Sequence, residues 1–320
     1  MRNKFSRAGI GSVLFAAVMG SVAFAGPAAK DIDITVVYHD TGIEFGQVIK
    51  AGALAAGKEL GINVEFVGPI GIKVDEEVAF IENAITKKVE GLAISNVNGE
   101  ALNPVIDKAM AANIPVVTFN SEAPGSKRIA FFGQDLVSSG KAAADSLVKA
   151  MGSEGSVLII TGEAAASWSQ DREGGARTEL AKYPGIKVVN TISTGWEEQA
   201  QYAAIENAIR ANPDLNGIIS LDAATTPATG RALHRVERAT KIHHVGFDLI
   251  PETLDNVKAG VTDAALSQNP YMQGYLPVKA LYDFITTGKA IESIDTGILQ
   301  VDQTNIDEYL EKLKKGEPIG

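Results

Sequence analysis

Residues 91 to 121 read GLAISNVNGEALNPVIDKAMAANIPVVTFNS, and this stretch decides the fold. The apolar runs GLAIS (91–95) and PVVTF (115–119) have the length and composition of buried strands. Between them, residues 102–112 carry the apolar spacing of an amphipathic helix. A strand, a helix and a second strand within roughly thirty residues predict a parallel βαβ unit.

The same alternation of short strands and longer helices runs along the chain from Ile32 onward. Further strands are predicted at residues 32–38, 62–68, 156–161, 186–191, 217–220 and 242–247. Further helices are predicted at residues 45–60, 74–87, 138–151, 171–182, 197–211, 226–236 and 271–287. This rhythm predicts an α/β fold with parallel sheets that are flanked by helices on both faces.

The sequence also repeats itself. VVTFNSEAP (116–124) and HHVGFDLIP (243–251) both run from an apolar strand through Phe to a polar residue and then to a proline. GLAISNVNGE and GIISLDAATT match in the same way. Two lobes of one plan are therefore predicted, each with polar residues at the carboxyl ends of its strands, where open α/β sheets bind ligands. No low-complexity linker separates the halves, which favours a hinge over a flexible tether.

The N-terminus has the pattern of a secretory signal. Arg2, Lys4 and Arg7 precede an apolar run from Ile10 to Phe24, and the run ends in Ala23-Phe24-Ala25. We expect a cleavable signal peptide over residues 1–25. The alternative is a membrane anchor, but the run is interrupted by glycine and serine and is shorter than a span requires.

Composition excludes several classes of protein. The formal net charge is −10, so an acidic surface argues against nucleic acid as a partner. The chain has no cysteine, which removes disulfides, thiolate catalysis and Cys-ligated metals. Phosphate-loop, nucleophile-elbow and zinc-protease motifs are absent from the sequence. His39 and Asp40 could form an acid/base pair, but no nucleophile accompanies them. We therefore expect no enzymatic activity, no cofactor and no metal.

Three aromatic residues are candidates for contact with a ligand. Phe45 begins a helix directly after the first strand, and its ring could cover a sugar face or anchor the core. Trp196 lies in the loop Thr194-Gly195-Trp196-Glu197, and Trp168 lies in a polar stretch predicted as a loop. Large rings on loops between strands and helices favour a ligand cleft over core packing.

Polar candidates stand at predicted strand ends and at one helix start. Arg172 is placed where the helix dipole is unfavourable for a cation, so a cleft carboxylate or ligand hydroxyls should compensate, unless the side chain is simply solvated. The strand-end candidates could equally be caps or turn formers, and their repetition in both halves favours a ligand role. The remaining polar candidates are Ser95, Asn96, Asn120, Gln134, Asp222, Asp248 and Gln268.

Taken with VGFDLIPETLDNVKAG (245–260) and SQNPYMQGY (267–275), residues 91–121 make the chain resemble the ribose- and galactose-type periplasmic binding proteins. These are the solute receptors of ATP-driven sugar importers. The resemblance covers nearly the whole mature chain. It implies the type I fold, with two Rossmann-like lobes and a three-segment hinge. We expect an N-terminal lobe of residues 31–134 plus 269–297 and a C-terminal lobe of residues 135–268 plus 298–320.

The resemblance also implies a function. A monosaccharide or sugar alcohol would bind between the lobes and be delivered to the permease of an ABC importer, by a monomeric protein in the periplasm. The contacts that it implies are Phe45, Ser95 and Asn120 in the N-terminal lobe and Arg172, Trp196, Asp222, Asp248 and Gln268 in the C-terminal lobe.

Departures from the ribose-type pattern put ribose itself in doubt. Asn120 stands where Asp is usual, Gly46 replaces a second aromatic, and Trp168 has no ribose-type equivalent. Another pentose, a sugar alcohol, an amino sugar, a signalling furanose or another small polar solute remains open.

Overall fold

A computed structural model describes residues 31–236, 242–317 and 319. The predicted signal peptide, residues 1–25, lies outside the described residues. Among the residues described, no helix is long and apolar enough to cross a membrane.

The elements alternate along the chain as the sequence predicts. The first part comprises β1 (Asp33–Val37), α1 (Glu44–Leu60), β2 (Asn63–Val67), α2 (Val74–Lys87), β3 (Gly91–Ile94), α3 (Gly99–Ala111), β4 (Val116–Phe119) and β5 (Phe131–Gly133). The middle part comprises α4 (Leu136–Met151), β6 (Glu154–Thr161), α5 (Ser167–Leu180), β7 (Gly185–Ser193), α6 (Glu198–Ala211), β8 (Leu215–Ser220), α7 (Thr225–Arg235), β9 (His243–Phe247), α8 (Pro251–Lys258) and β10 (Ala264–Ser267). The last part comprises α9 (Pro270–Thr287), β11 (Ile294–Asp295), β12 (Leu299–Asp302) and α10 (Ile306–Lys315).

The strands form two six-stranded sheets, in the orders β11-β5-β4-β3-β1-β2 and β12-β10-β9-β8-β6-β7. We call the lobe that contains the first sheet the N-terminal lobe and the lobe that contains the second sheet the C-terminal lobe. Every pairing is parallel except that of β10 with β12. The chain crosses between the sheets after β5, after β10 and after β11, which makes three connections. The predicted fold class is confirmed.

Each sheet is covered on both faces, because successive side chains of a strand point to opposite sides. In β1, Ile34 and Val36 pack into one core, whereas Val37 packs into the core beneath α2 and α3. All four residues of β3 and of β4 are buried, as expected for the central strands of a parallel sheet. The strand ends are thereby held rigidly, which fixes the loops that follow them.

One predicted helix begins earlier than its sequence suggests. The helix predicted at residues 171–182 begins at Ser167, so Trp168 lies in the first turn of α5 and not in a loop. Ala166, at the N-cap, supplies no side-chain hydrogen bond, so the sequence carries no cap signal at this position. Arg172 consequently lies in the second turn, and the prediction that it begins the helix is wrong.

Candidate ligand-binding site

A cleft of about 390 Å³ lies between the two lobes. Residues after β1 and β4 line it from the N-terminal lobe, and residues of α5 and after β8 and β9 line it from the C-terminal lobe. The candidates from the sequence that line the cleft are Phe45, Asn120, Trp168, Arg172, Trp196, Asp222, Asp248 and Gln268. The cleft therefore brings together residues that lie far apart in the sequence.

Asn120 and Asp248 occupy matching places in the two lobes. Each directly follows the strand that ends in Phe, β4 or β9, and each has a left-handed backbone, with φ of 59° and 68°. Asn and Asp enter this region more readily than other non-glycine residues. The repeated Phe-Asn and Phe-Asp pairs thus encode a repeated turn that faces the cleft.

Gln268 joins these two residues by hydrogen bonds across the hinge. Its Nε2 donates to Asp248 Oδ1 at 2.9 Å, and its Oε1 accepts from Asn120 Nδ2 at 3.2 Å. Asn120 Nδ2 also lies 3.0 Å from Gln273 Oε1, at the start of α9. The three side chains form a buried bridge between the lobes at the base of the cleft.

Asp248 and Arg172 form the charged centre of the cleft, and both are almost fully buried. Burial raises the pKa of the Asp248 carboxyl from its ordinary 3.8 to about 6, while Arg172 and the hydrogen bond from Gln268 oppose this shift. Burial also lowers the pKa of Arg172, and the charges of Asp248 and Asp222 oppose that change. A guanidinium stays charged in proteins, and the opposite charges that act on Arg172 are those of Asp248 and Asp222.

Arg172 is held from three sides. Its Nη1 donates to the Leu221 carbonyl at 2.8 Å and its Nη2 donates to Gln134 Oε1 at 3.1 Å. Its Cζ lies 4.0 Å from the centre of the Phe247 ring, which is a cation–π contact. Its Nε has no acceptor among the residues that the structure describes. These two hydrogen bonds use only part of the donor capacity of the guanidinium, which therefore has N–H donors left for a ligand.

Asp222 lines the cleft, but its carboxylate is largely engaged by backbone. Oδ2 accepts from the Gly162 amide at 2.8 Å, and Oδ1 accepts from the amides of Ala224 at 3.0 Å and Thr225 at 2.8 Å. These bonds shape the loop that leads into α7. The turn-forming role that the sequence left open for strand-end acids is therefore present at this residue.

Aromatic rings cover the cleft from both lobes. The Trp168 and His39 rings are stacked, with centroids 5.7 Å apart and planes at 11°. Trp196 lies 6.4 Å from Trp168 at 53° and remains 42% exposed. Phe45 packs into the core of the N-terminal lobe and also lines the cleft, so it anchors the core, and its contact with a sugar stays a prediction.

Three candidates lie outside the lining of the cleft. Ser95 is within hydrogen-bond distance of His39 Nδ1 at 2.8 Å and donates to Asn120 Oδ1 at 3.3 Å. Asn96 Nδ2 donates to Asn103 Oδ1, which fixes a loop. Gln134 Nε2 donates to the carbonyls of Ser267 and Gly297 in the hinge, while its Oε1 orients Arg172. Ser95 and Gln134 therefore support residues that line the cleft.

His39 is a cleft residue that the sequence assigned only to a weak catalytic alternative. Burial lowers the pKa of His39 to about 3, so the ring is neutral at physiological pH. Asp40 Oδ1 accepts from the amides of Gly42 and Gly71, both at 2.9 Å, and so organises the loop. Both residues follow a strand end, which is the signal that could have marked them. Within the described chain, no group of three or more His, Cys, Asp or Glu residues is placed to hold a metal.

The cleft mouth carries charged residues that sequence reasoning missed. Arg231 lies 2.5 Å from Glu252 and 3.6 Å from Glu198, and all three line the cleft. Gln201 lines it as well and donates from Nε2 to the Gly195 carbonyl. These residues lie on helices α6 to α8, where sequence spacing alone does not separate a cleft face from a solvated face.

Known proteins with sugar ligands share this architecture. A solute-binding protein of an ABC transporter from Burkholderia graminis, solved with D-arabinose, is 31% identical, with a TM-score of 0.85 over 88% of this chain and 99% of that one. A solute-binding protein from Agrobacterium vitis, solved with α-D-tagatopyranose, is 25% identical, with a TM-score of 0.82 over 90% of this chain and 100% of that one.

A xylose/arabinose-binding protein from Sulfolobus acidocaldarius is 26% identical over 87% of this chain and 72% of its own length. Residues 34–290 match the family described as the periplasmic binding protein domain. The resemblance seen in the sequence is confirmed, and this chain belongs to the periplasmic binding protein family.

Proposed function

We propose that this chain is a non-enzymatic receptor that captures one neutral monosaccharide between its lobes and delivers it to an ABC importer. The observation that carries the proposal is the cleft itself, where polar side chains and aromatic rings from both lobes meet. Such a mixture suits a sugar, whose hydroxyls need hydrogen-bond partners and whose C–H face packs on rings. The sugars bound by the relatives support this ligand class.

The buried charged groups of the cleft favour a neutral ligand over one with an amine, although the lining as a whole is acidic. Arg172 lies beside Asp248 in the buried part of the cleft, and Asp222 is occupied by backbone amides. An ammonium group would need an additional buried carboxylate to offset its loss of water. The named sugars of the relatives likewise do not favour the amino-sugar alternative.

The proposed mechanism is closure without chemical turnover. A ligand favours the closed form only through contacts that it makes to both lobes at once. Asn120 and Asp248 are suited to this role because they face each other across the cleft from matching strand ends. We infer that the rigid lobes correspond to the boundaries expected from the sequence, residues 31–134 plus 269–297 and residues 135–268 plus 298–320.

The wider setting follows from the proposed role. We infer that the protein is exported to the periplasm, acts as a monomer and docks its closed form on a membrane permease. The family match, the importer relatives and the signal-like pattern in residues 1–25 support this setting.

A thermal-shift screen tests the function directly. The mature protein is heated with D-arabinose, D-xylose, D-ribose, D-tagatose, D-arabinitol or D-glucosamine, and we expect the largest rise in Tm with one of the neutral sugars. Arg172→Ala and Asp248→Ala should lose this rise. Arg177→Ala is the matched control, because Arg177 lies on the same helix and pairs with Glu173 away from the cleft. No rise with any sugar, or unchanged rises in both cleft variants, would contradict the proposal.

A further inference from the structure

The Trp168 ring has little free face to offer a ligand. His39 stacks on it nearly parallel, and Trp196 leans against it from the same lobe. Trp168 also packs with Leu136 and Ala166, and Ile72 lies against this cluster from the N-terminal lobe. The ring is therefore clasped between the two lobes by protein atoms, and its side chain is about nine-tenths buried.

The faces of the Trp168 ring have packing partners, but the polar N–H at its edge has no hydrogen-bond partner among the described residues. The indole Nε1–H of Trp168 is buried and has no acceptor among the described residues, although the residue lines the cleft. Leaving such a donor unpaired is unfavourable, because it has lost its hydrogen bond to water. A ligand oxygen in the cleft would remove this penalty.

Arg172 presents a second donor of the same kind. Its Nε–H is also buried and unpaired within the described chain, and the residue lies four positions after Trp168 on α5. Residues at this spacing lie on the same face of a helix. Both residues line the cleft, so α5 carries two unpaired N–H donors beside it, and oxygen atoms of a ligand are the acceptors that would suit them.

We propose that the Trp168 indole N–H is a specificity-determining donor that binds one oxygen atom of the captured sugar. The residue works through its polar edge, while its ring face holds the lobes together through His39. This inference rests on the proposed function, because it takes the ligand to be a monosaccharide. It assigns Trp168 a role different from that of a ring that stacks on the sugar.

Trp168→Phe separates the two roles, because phenylalanine keeps an aromatic face for His39 and removes the N–H. The probe is the tightest-binding sugar of the thermal-shift panel, beginning with D-arabinose. Its analogues are each singly deoxygenated form and the form with sulfur in place of the ring oxygen. Titration calorimetry should show affinity for the parent sugar falling by roughly 5- to 100-fold in Trp168→Phe.

The analogue series identifies the partner atom. For one analogue, the wild type should already bind weakly, and Trp168→Phe should weaken binding no further, because the accepting oxygen is gone. The matched control is Trp196→Phe, which also alters a tryptophan of the cleft but one whose side chain remains open to solvent. Trp196→Phe should lower the affinity for the parent sugar and for every analogue by the same factor.

Nuclear magnetic resonance gives a second reading on the unaltered protein. The chain has only 2 tryptophans, so two indole N–H signals are expected, and either phenylalanine variant assigns them. The Trp168 signal should move downfield when the parent sugar saturates the protein, and it should stay in place with the insensitive analogue.

The outcomes separate this inference from the function on which it rests. If no sugar binds the wild type, both fail. If sugars bind but Trp168→Phe leaves affinity unchanged, or weakens every analogue equally while the Trp168 signal does not move, the donor role is overturned and the function stands.

Discussion

Asn120 and Asp248 have the same backbone conformation, but their side chains differ in charge. Both residues adopt the same left-handed turn after equivalent strands, and both contact Gln268. Asn120 is neutral, whereas Asp248 is a carboxyl buried beside Arg172. Because burial disfavours the charged form, the ionised Asp248 carboxylate lowers the stability of the folded protein.

Asp248→Asn should therefore make the unliganded protein more stable at neutral pH. The pKa of the folded state, about 6, lies above the ordinary 3.8, so the folded state holds this proton more tightly than the unfolded state. The contribution of Asp248 is most favourable below pH 4 and is lost as the pH rises toward 6. We expect the variant to exceed the wild type by about 2–3 kcal/mol above pH 6 and to match it near pH 4.

Urea denaturation from pH 4 to 8 measures this difference, and Asn120→Asp is the reciprocal control. Asn120 donates to the side-chain oxygens of Gln268 and Gln273, so a carboxylate there would face two acceptors and should destabilise the protein at pH 8. A constant difference between Asp248→Asn and the wild type across the whole pH range would contradict the electrostatic account.

Strand ends marked part of the site correctly, but Ser95 and Asn96, after β3, do not line the cleft. Asn120, Asp222 and Asp248 line the cleft because parallel strands place their carboxyl ends at one edge. The N–H of Trp168 could not be predicted, because the early start of α5 has no cap residue to announce it. The position of Gln134 depends on the hinge, whose hydrogen bonds link residues far apart in sequence.

At the scale of elements, close helix contacts set where Arg172 lies. A Cβ added at Gly140 in α4 would lie 2.0 Å from the Arg172 carbonyl oxygen, and one added at Gly175 in α5 would lie 2.1 Å from that of Val137. The N-terminal lobe repeats this device, since a Cβ at Gly52 in α1 would lie 1.9 Å from the carbonyl oxygen of Tyr271 in α9. In each lobe, glycine lets two helices touch through their backbones.

Gly175→Ala should lower the free energy of unfolding by about 1–3 kcal/mol and weaken sugar binding, because α5 must move away from α4 and carries Arg172 with it. The neighbouring Gly174→Ala is the matched control. Gly174 lies in the same helix with nothing within 4 Å of an added Cβ, so alanine should stabilise the protein by about 0.5–1 kcal/mol. Urea denaturation measures the change in stability of each variant, and calorimetry measures its affinity for the sugar. Equal effects of the two substitutions would contradict the close contact between α4 and α5.

Most strands and helices followed from the sequence, because buried parallel strands and amphipathic helices have different periods. The short strands β5, β11 and β12 and the helices α8 and α10 were not predicted. Which glycines form helix contacts did not follow. Gly174 and Gly175 are adjacent in the sequence, and only the packing of α4 makes one of them essential. The charged residues that helices α6 to α8 place at the cleft mouth could not be predicted either, because their sequence pattern is that of any solvent-exposed helix face.

At the scale of the whole molecule, the lobes meet through two kinds of contact. Asn120, Gln268 and Asp248 link them by hydrogen bonds at the base of the cleft, and Ile72 and Val97 pack against the cluster of Leu136, Ala166 and Trp168. The main apolar cores belong to different lobes, although Ala223 of the C-terminal lobe packs against the core of the N-terminal lobe. A ligand between the lobes therefore adds contacts to an interface that is already partly formed.

The central claim is that one sugar is held by both lobes, and isothermal titration calorimetry of the wild type, Asn120→Ala and Asp248→Ala tests it most directly. With the tightest-binding sugar of the panel, the account predicts one sugar per wild-type chain. It also predicts a loss of at least about tenfold in affinity for each variant, because each removes a cleft contact from a different lobe. Absence of binding to every sugar, or wild-type affinity in either variant, would contradict it.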